Sequence, residues 1–403
     1  MKHRSWDESA VRRARIRGSM LGGAIGDALG NPVEFLSLDA IRAKYGATGV
    51  TGLVPDAEGV TGRVTDDTQM TLFTAEGLLL GSARSRAAGS PVDETGLVRE
   101  AYLRWLDTQD HPDPPAAGGA GHRYGWLREE AWLYARRAPG NACLSGLRSA
   151  HVPRGDGRPD GTPGPVNPDS KGCGTVMRSA PFGFTGLAPE RAFELAAACA
   201  RITHGHPTGY YAAGAFAALV GHLVQGESLE AAVLRTLHLL SRYPGHQETT
   251  AALRAALDLA GDGEATAEKV ESLGAGWVAE EALGIAVYAA LAPTRPQVFY
   301  VDQDGRHSHP DPPRTPVEAA LLLSVNHSGD SDSTGSLCGN LLGALHGDVR
   351  LPHAWLAQVE GRAVIAALAD DLAAEADPAD QHPWSYCRRA GPRRRGPAGA
   401  PVL

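Results

Sequence analysis

What the 403-residue sequence lacks narrows the class of protein it encodes. It has no apolar run of about 18 residues that would span a bilayer, and its arginine-rich start lacks the apolar stretch of a secretory signal. Its net charge of −8 is the wrong sign for neutralising the phosphates of nucleic acids or anionic membranes. We therefore expect a cytoplasmic monomer with no membrane contact and no dedicated nucleic-acid surface.

Cysteine is also scarce. The five cysteines are scattered along the chain, odd in number, and none forms a Cys-x-x-Cys spacing. This pattern is typical of reduced, buried thiols rather than of disulfides or a structural zinc site.

Short alternating runs typical of β-strands are rare, whereas Ala- and Leu-rich segments with helical periodicity recur from end to end. The fold class should be all-α, a single large multi-helix bundle. In the first helix, glycines recur every four residues at Gly18, Gly22, Gly26 and Gly30. Each costs a helix about 1 kcal/mol, so we expect the stripe to admit a second backbone at close range and this helix to be central.

The same periodicity predicts further helices near 92–106, 126–137, 189–201, 208–225, 228–242, 248–260, 278–291, 317–326, 333–346 and 353–375. Segments rich in Pro, Gly and Asp predict long surface loops at 107–122, 151–171 and 302–316, where we expect substrate selection. From residue 377 the period is lost and arginines accumulate among Pro and Gly. We expect one domain over 1–376 and a disordered basic tail over 377–403.

Two acidic motifs precede amphipathic helices. Thr65-Asp66-Asp67-Thr68 is compatible with simple helix capping, but capping needs one such residue, and adjacent carboxylates repel unless a cation holds them. Asp330-Ser331-Asp332-Ser333 repeats the arrangement downstream. Such oxygen ligands suit Mg²⁺, Mn²⁺ or Ca²⁺. If the two helix starts converge, four carboxylates surround one cavity suited to a pair of ions about 4 Å apart.

A third acidic position follows the glycine-striped helix, where Pro32 precedes Glu34. Glu34 is either an exposed loop carboxylate or part of the same site. Asp27, inside that helix, is either a buried hydrogen-bonded structural residue or a catalytic one.

These residues lie in segments that resemble the ADP-ribosylglycohydrolases, including the dinitrogenase-reductase-activating enzymes, over nearly the whole chain to about residue 375. The matching segments, in the order of the family, are Gly22 to Gly30 with Pro32 to Phe35, Thr65 to Met70, Gly172 to Pro181, Thr203 to Pro207, Trp277 to Leu283 and Gly329 to Gly335. Several such blocks in order make the resemblance specific.

The resemblance implies an all-α bundle of the ADP-ribosylglycohydrolase type with two Mg²⁺ ions, Mn²⁺ being an alternative. By position, the implied metal ligands are Thr65, Asp66, Asp67, Asp330, Asp332 and Ser333. The implied catalytic residues are Glu34, Asp67 and Asp330, with Glu34 first as the base. Contacts to ADP-ribose are implied for Gly172, Cys173, Gly174, Met177 and His204, since backbone N–H groups of a glycine loop suit phosphate oxygens.

The implied activity is removal of ADP-ribose from a modified protein, with the arginine N-glycosidic linkage as our first choice. The alternatives are another linkage (serine, nucleobase or small molecule) or a non-catalytic protein that binds and blocks an ADP-ribosyltransferase. Helical phosphohydrolases usually carry a His-Asp dipeptide, which this sequence lacks.

Three details qualify the match. Many relatives carry Asn-Gly where this chain has Lys171-Gly172, so the hydrogen bond of that asparagine is not expected here. Cys173 is expected to be a small packing residue rather than a reactive thiol. His206 is expected to begin the helix that follows it.

Overall fold

The computed structural model describes residues 6–114, 125–151, 158–292, 300–301, 307–308 and 314–377. These contain fifteen α-helices: α1 (Trp6–Gly30), α2 (Leu38–Tyr45), α3 (Asp66–Ala88), α4 (Glu94–Asp110), α5 (Asn141–Arg148), α6 (Pro189–Ala200), α7 (Pro207–Val224), α8 (Leu229–Leu240), α9 (Gln247–Ala260), α10 (Ala267–Glu271), α11 (Ala279–Leu291), α12 (Pro316–Val325), α13 (Ser331–His346), α14 (His353–Leu356) and α15 (Arg362–Glu375). Two strands, β1 (Tyr300–Val301) and β2 (His307–Ser308), pair antiparallel. The all-α prediction is confirmed.

Helices α1 and α13 lie antiparallel at backbone-to-backbone distance. A Cβ placed on Gly22 would lie 2.3 Å from the carbonyl oxygen of Gly339, and one placed on Gly339 would lie 2.0 Å from that of Gly22. The same reciprocal relation holds between Gly26 and Gly335, and between Gly18 and Gly343. The stripe of the first helix therefore accommodates a second backbone, as expected, and the partner helix carries a glycine stripe of its own.

This pairing organises the site. Because the helices are antiparallel, the C-terminus of α1 lies beside the N-terminus of α13, with Gly30 against the carbonyl of Ser331. One turn before Gly30, the buried carboxylate of Asp27 accepts hydrogen bonds from the backbone N–H groups of Thr65 and Thr68 at the start of α3. Asp27 thus has the structural role that was one of its two interpretations, and α1 holds the starts of both acidic helices.

The core is built around α7, most of whose residues are buried, and α7 packs against α6, α8, α11 and α13. The four described cysteines support the thiol prediction: Cys143, Cys199 and Cys338 are buried and Cys173 is half-buried, all unpaired. Cys387 lies outside the described residues. Among the described helices, none is both long and apolar enough to cross a membrane.

The helix predicted near 126–137 is wrong. This segment contains only two three-residue 3₁₀ turns, Leu127–Glu129 and Ala131–Leu133. Its backbone polar groups are bound by side chains of α3: Glu76 accepts from the N–H of Leu127 at 3.1 Å, and Gln69 donates to the carbonyl of Ala135 at 3.0 Å. Those contacts replace the hydrogen bonds that a continuous helix would make.

Other boundaries also differ. Helices α2, α5 and α10 were not predicted. The predicted helix 353–375 is divided, because Gly361 adopts a left-handed conformation (φ +66°) between α14 and α15. Of the predicted loops, 107–122 begins inside α4, and residue 316 of 302–316 begins α12.

The predicted loop 151–171 has no α-helix in its described part, residues 151 and 158–171, but it is only partly a surface loop, because Pro159, Gly164 and Val166 are buried. Residues 115–122, 152–157, 302–306 and 309–313 of the predicted loops, and the predicted tail beyond Asp377, lie outside the described residues. The expected domain limits therefore stay a prediction.

Candidate active site

A cleft of about 720 Å³ opens where four segments meet: the α1–α2 connection, the start of α3, the glycine loop (Gly172, Cys173 and Gly174) and the start of α13. Eleven of the twelve site residues predicted from the sequence line it: Glu34, Asp66, Asp67, Gly172, Cys173, Gly174, Met177, His204, Asp330, Asp332 and Ser333. The twelfth, Thr65, is buried behind the wall, and its hydroxyl caps α3 by accepting from the N–H of Asp67 at 3.3 Å. The residues from distant parts of the chain thus share one cavity.

The two acidic helix starts converge. The hydroxyl of Ser333, in the first turn of α13, donates to Oδ1 of Asp67, in the first turn of α3, at 3.4 Å. Asp66 Oδ2 accepts from the N–H of Gly140 at 3.4 Å, which ties α3 to the segment before α5. Because Thr65 already caps α3, both Asp66 and Asp67 are available for another role, as the tandem of acids suggested.

Glu34 lines the same cleft as Asp66, Asp67, Asp330 and Asp332, and these five residues form an acidic cluster. This position excludes the exposed-loop interpretation of Glu34. One ligand atom each from Glu34, Asp330 and Asp332 lie within 4.8 Å of one another. Asp330 caps α13 by accepting from the N–H of Ser333, and its own N–H donates to the carbonyl of Ala275 at 2.8 Å. The three carboxylates are therefore fixed from two chain segments almost 300 positions apart.

The protein alone does not neutralise this cluster. Burial, followed by repulsion from Asp332, raises the pKa of Asp66, Asp67 and Asp330 well above the ordinary value. Burial and the same neighbours raise the pKa of Glu34 to about 11 and that of Asp27 to about 7. Oδ2 of Asp67 is buried without a hydrogen-bond partner. An orphaned oxygen within a cluster of carboxylates fits a divalent cation of the Mg²⁺ or Mn²⁺ type.

Opposite the acids, His204 lies directly beneath the glycine loop. Cβ atoms placed on Gly172 and Gly174 would lie 3.3 Å from Nε2 and 3.2 Å from Cε1 of His204, so larger side chains there would crowd the ring. Burial, and to a lesser degree the charge of Arg178, lowers the pKa of His204 to about 3. His204 is therefore neutral at physiological pH.

A buried chain of hydrogen bonds orients this histidine. Arg178 donates to the hydroxyl of Thr203 at 2.7 Å, and that hydroxyl lies 2.7 Å from Nδ1 of His204. Because Thr203 already accepts from Arg178, it can donate its own proton to Nδ1. The ring then carries its proton on Nε2, the nitrogen that faces the glycine loop.

The glycine loop is anchored by Lys171, the residue directly before it. Lys171 forms ion pairs with Glu248 and Glu280, and its carbonyl accepts from the N–H of Ala279 at 2.9 Å. The N–H of Cys173 donates to the carbonyl of Trp277 at 3.1 Å. Where the expected asparagine is missing, this chain therefore fixes the loop with ion pairs and a short backbone bridge.

Cys173 is held as a thiol, which agrees with a packing role. Its burial, together with the adjacent Asp330 and Asp67, raises its pKa well above the ordinary value, so little nucleophilic thiolate forms at neutral pH. His206 is the N-cap of α7, its Nδ1 accepting from the N–H of Thr208 at 3.2 Å, as expected.

The sequence predictions missed part of the cleft wall: Phe35, Arg136, Ala138, Pro139, Gly140, Asn141, Ala142, Ser170 and Trp277 also line it. Phe35 and Trp277 lie inside matched segments, and Phe35 directly follows Glu34, which was a usable signal. Residues 136–142 carried none: Arg136 lies in the predicted helix 126–137, which does not form, and residues 138–142 lie in no predicted element.

The fold is an all-α bundle, and its cleft holds an acidic cluster that could bind a metal ion. A family model described as ADP-ribosylglycohydrolase matches residues 8–382. The chain belongs to the ADP-ribosylglycohydrolase family and is a hydrolase of the glycosidase class.

Individual relatives agree with this assignment. The chain is 26% identical to the ADP-ribosyl-[dinitrogen reductase] glycohydrolase of Rhodospirillum rubrum, over 86% of this chain and 90% of the relative. It is 24% identical to ADP-ribosylhydrolase ARH3 of Mus musculus (90% and 92% covered) and to ADP-ribosylarginine hydrolase Tri1 of Serratia proteamaculans strain 568 (89% and 78%). A solved structure titled ADP-ribosylglycohydrolase-related protein complex shares the fold, with a TM-score of 0.57 and 23% identity over 91% of this chain and 99% of its own.

Proposed function

We propose that this protein hydrolyses the N-glycosidic bond between ADP-ribose and an arginine side chain of a modified protein, using two Mg²⁺ ions, for which Mn²⁺ can substitute. The observation that carries the proposal is the convergence of Glu34, Asp66, Asp67, Asp330 and Asp332 in one cleft beside a glycine loop. Five carboxylates at this density need cations to ionise together.

The geometry supports the ligand set that we propose. Asp66 and Asp67 approach from α3 and Asp330 and Asp332 from α13, with the Ser333 hydroxyl between them. Thr65, whose hydroxyl accepts only the N–H of Asp67 in α3, keeps a second lone pair for a cation. When bound, the cations would supply Lewis acidity at the ribose and favour ionisation of a nearby water.

Glu34 is the proposed base. A water attacks C1 of the ribose, the C1–N bond to the guanidine breaks, and Glu34 accepts a proton from the water and returns it to the leaving nitrogen. Its position beside Asp330 and Asp332 supports this role, because the proposed cations would bind the ribose hydroxyls there. Asp67 and Asp330 are the second choices for the same proton transfer.

The opposite wall holds ADP-ribose. Gly172 and Gly174 let His204 pack close to the loop, whose backbone N–H groups suit phosphate oxygens. Nε2–H of His204 and the charge of Arg136, which also lines the cleft, face the same space. Met177 and Cys173 close the apolar part of the wall.

The test is release of ADP-ribose from a panel of arginine-, serine- and nucleobase-linked conjugates, with Mg²⁺ and with chelator. Asp66→Asn and Asp330→Asn each remove one proposed ligand charge and should lower the rate with the arginine conjugate by at least about 100-fold. Asp39→Asn is the matched control, because Asp39 also lies in the first turn of a helix (α2) but is exposed.

Two results would overturn the proposal. Equal rates for the wild type and both cleft variants would remove these aspartates from the metal site. Tight binding of an ADP-ribosyltransferase without release of ADP-ribose from any conjugate would favour the blocking function instead.

A further inference from the structure

Two aromatic side chains stack on each other at the mouth of the cleft. The ring centroids of Phe35 and Trp277 are 5.2 Å apart and their planes are inclined by 24°. Both rings line the cleft, yet Phe35 is 67% exposed and Trp277 is 40% exposed. Large aromatic surfaces of this kind are normally buried, so their exposure beside a cleft of ionised groups requires a reason.

Phe35 is held in this position against its backbone preference. Its φ of +67° lies in the left-handed region, which a bulky L-residue rarely adopts. The N–H of Phe35 donates to the carbonyl of Gly329, next to Asp330, at 3.4 Å. Such strain persists where neighbouring structure enforces it, and it concentrates at functional sites.

Trp277 is anchored just as directly. Its carbonyl accepts from the N–H of Cys173 in the glycine loop at 3.1 Å, while two residues earlier Ala275 accepts from the N–H of Asp330 at 2.8 Å. The aromatic pair is therefore tied on one side to the acidic cluster and on the other to the glycine loop. It lies beside the reacting end of the proposed substrate.

We propose that Phe35 and Trp277 form a stacking site for the planar guanidinium of the arginine leaving group and thereby select arginine conjugates over serine conjugates. This inference rests on the proposed function. Phe35 directly follows the proposed base Glu34 and both residues line the cleft, whereas adenine is separated from the bond that breaks by two phosphates and a second ribose. The nearby carboxylates also favour a cationic group at the mouth.

The kinetic test compares arginine- and serine-linked peptides of the same sequence with the full chain in Mg²⁺. Trp277→Leu and Phe35→Leu remove one ring each. We expect kcat/KM for the arginine conjugate to fall about tenfold, a loss between those of an exposed and a fully desolvated cation–π contact, and kcat/KM for the serine conjugate to change less than about twofold.

Two control variants separate stacking from folding. Trp277→Phe keeps an aromatic face and should retain most of the arginine preference. Leu234→Ala removes an exposed apolar side chain on α8, 54% exposed and outside the cleft, and should change neither substrate. If kcat/KM for both conjugates and the affinity for ADP-ribose fall together, the aromatic pair binds the ADP-ribose part of the substrate, for example by stacking on adenine. That result would overturn the inference. Unchanged kinetics would overturn it too.

If no conjugate is hydrolysed, the proposed function is refuted but the stacking site is not. A binding measurement tests the stacking site in that case. The indole N–H resonance of Trp277, assigned by its absence in Trp277→Phe, is followed while L-argininamide or its neutral isostere L-citrullinamide is added to the Mg²⁺-loaded protein. Saturation at concentrations at least about fivefold lower with L-argininamide supports the stacking site. Equal responses to the two compounds refute it.

Discussion

Gly26→Ala should destabilise the protein although alanine is the better helix former. A Cβ at position 26 would lie 1.9 Å from the carbonyl oxygen of Gly335 and 2.2 Å from its carbonyl carbon, both backbone atoms of α13. Because neither atom can turn aside, the two helices must separate. Overpacking of this severity costs about 3 kcal/mol, and the propensity gain of alanine offsets about 1 kcal/mol. We expect a net loss of about 2 kcal/mol in the free energy of unfolding.

The matched control is Gly81→Ala in α3. A Cβ there would meet only Leu97 Cδ1 at 3.7 Å and Glu94 Cγ at 4.0 Å, ordinary van der Waals distances, so alanine should stabilise the protein by up to about 1 kcal/mol. Urea unfolding followed by circular dichroism in Mg²⁺ measures both variants. If Gly26→Ala is as stable as the wild type, the close backbone approach of α1 and α13 is refuted. The displaced start of α13 should also weaken Mg²⁺ binding in Gly26→Ala alone.

Two further predictions concern buried charge. In chelator, the free energy of unfolding should fall as pH rises from about 5 to 7. Burial raises the folded-state pKa of Asp27 to about 7 and that of Glu34 to about 11, so the folded state binds more protons than the unfolded state. The stability present at acid pH is therefore lost as pH rises. Mg²⁺ should reduce this slope, and urea midpoints that rise with pH in chelator would contradict the reasoning. Arg104→Met should cost about 3 to 5 kcal/mol by leaving Glu76 buried without its cation (side chains 1% and 0% exposed), whereas Arg84→Met, from an exposed pair with Glu100, should change the unfolding free energy by less than about 1 kcal/mol.

The acidic residues could be found from the sequence because their chemistry is visible in short spacings. A tandem Asp66-Asp67 after a capping Thr65, and Asp330-x-Asp332 before a second helix, exceed what capping requires. Their meeting in one cleft needed no knowledge of the helix packing, only the inference that such charge must be shared with a cation. Glu34 was harder, since a lone loop carboxylate has no local signature.

The structure of residues 126–137 could not be read in the same way. Its apolar spacing favours a helix, but Glu76 and Gln69, more than fifty positions earlier, bind its backbone and leave two separate turns. Local propensity is overruled when distant polar side chains satisfy the same backbone groups. Arg136, a residue of the cleft wall that was missed, lies in this misread segment.

The glycine stripes of α1 and α13 could have predicted which helix ends meet at the site. Gly335, Gly339 and Gly343 repeat the four-residue spacing of the glycines in α1. Each glycine costs its helix about 1 kcal/mol, and close packing of the two stripes against each other would explain both costs. Pairing the stripes antiparallel would have placed the end of α1 against the start of α13. Glu34 lies four residues beyond Gly30, and Asp330 directly precedes α13, so that pairing alone brings their carboxylates together. The glycines, which carry no chemistry themselves, thus determine where the acidic cluster forms.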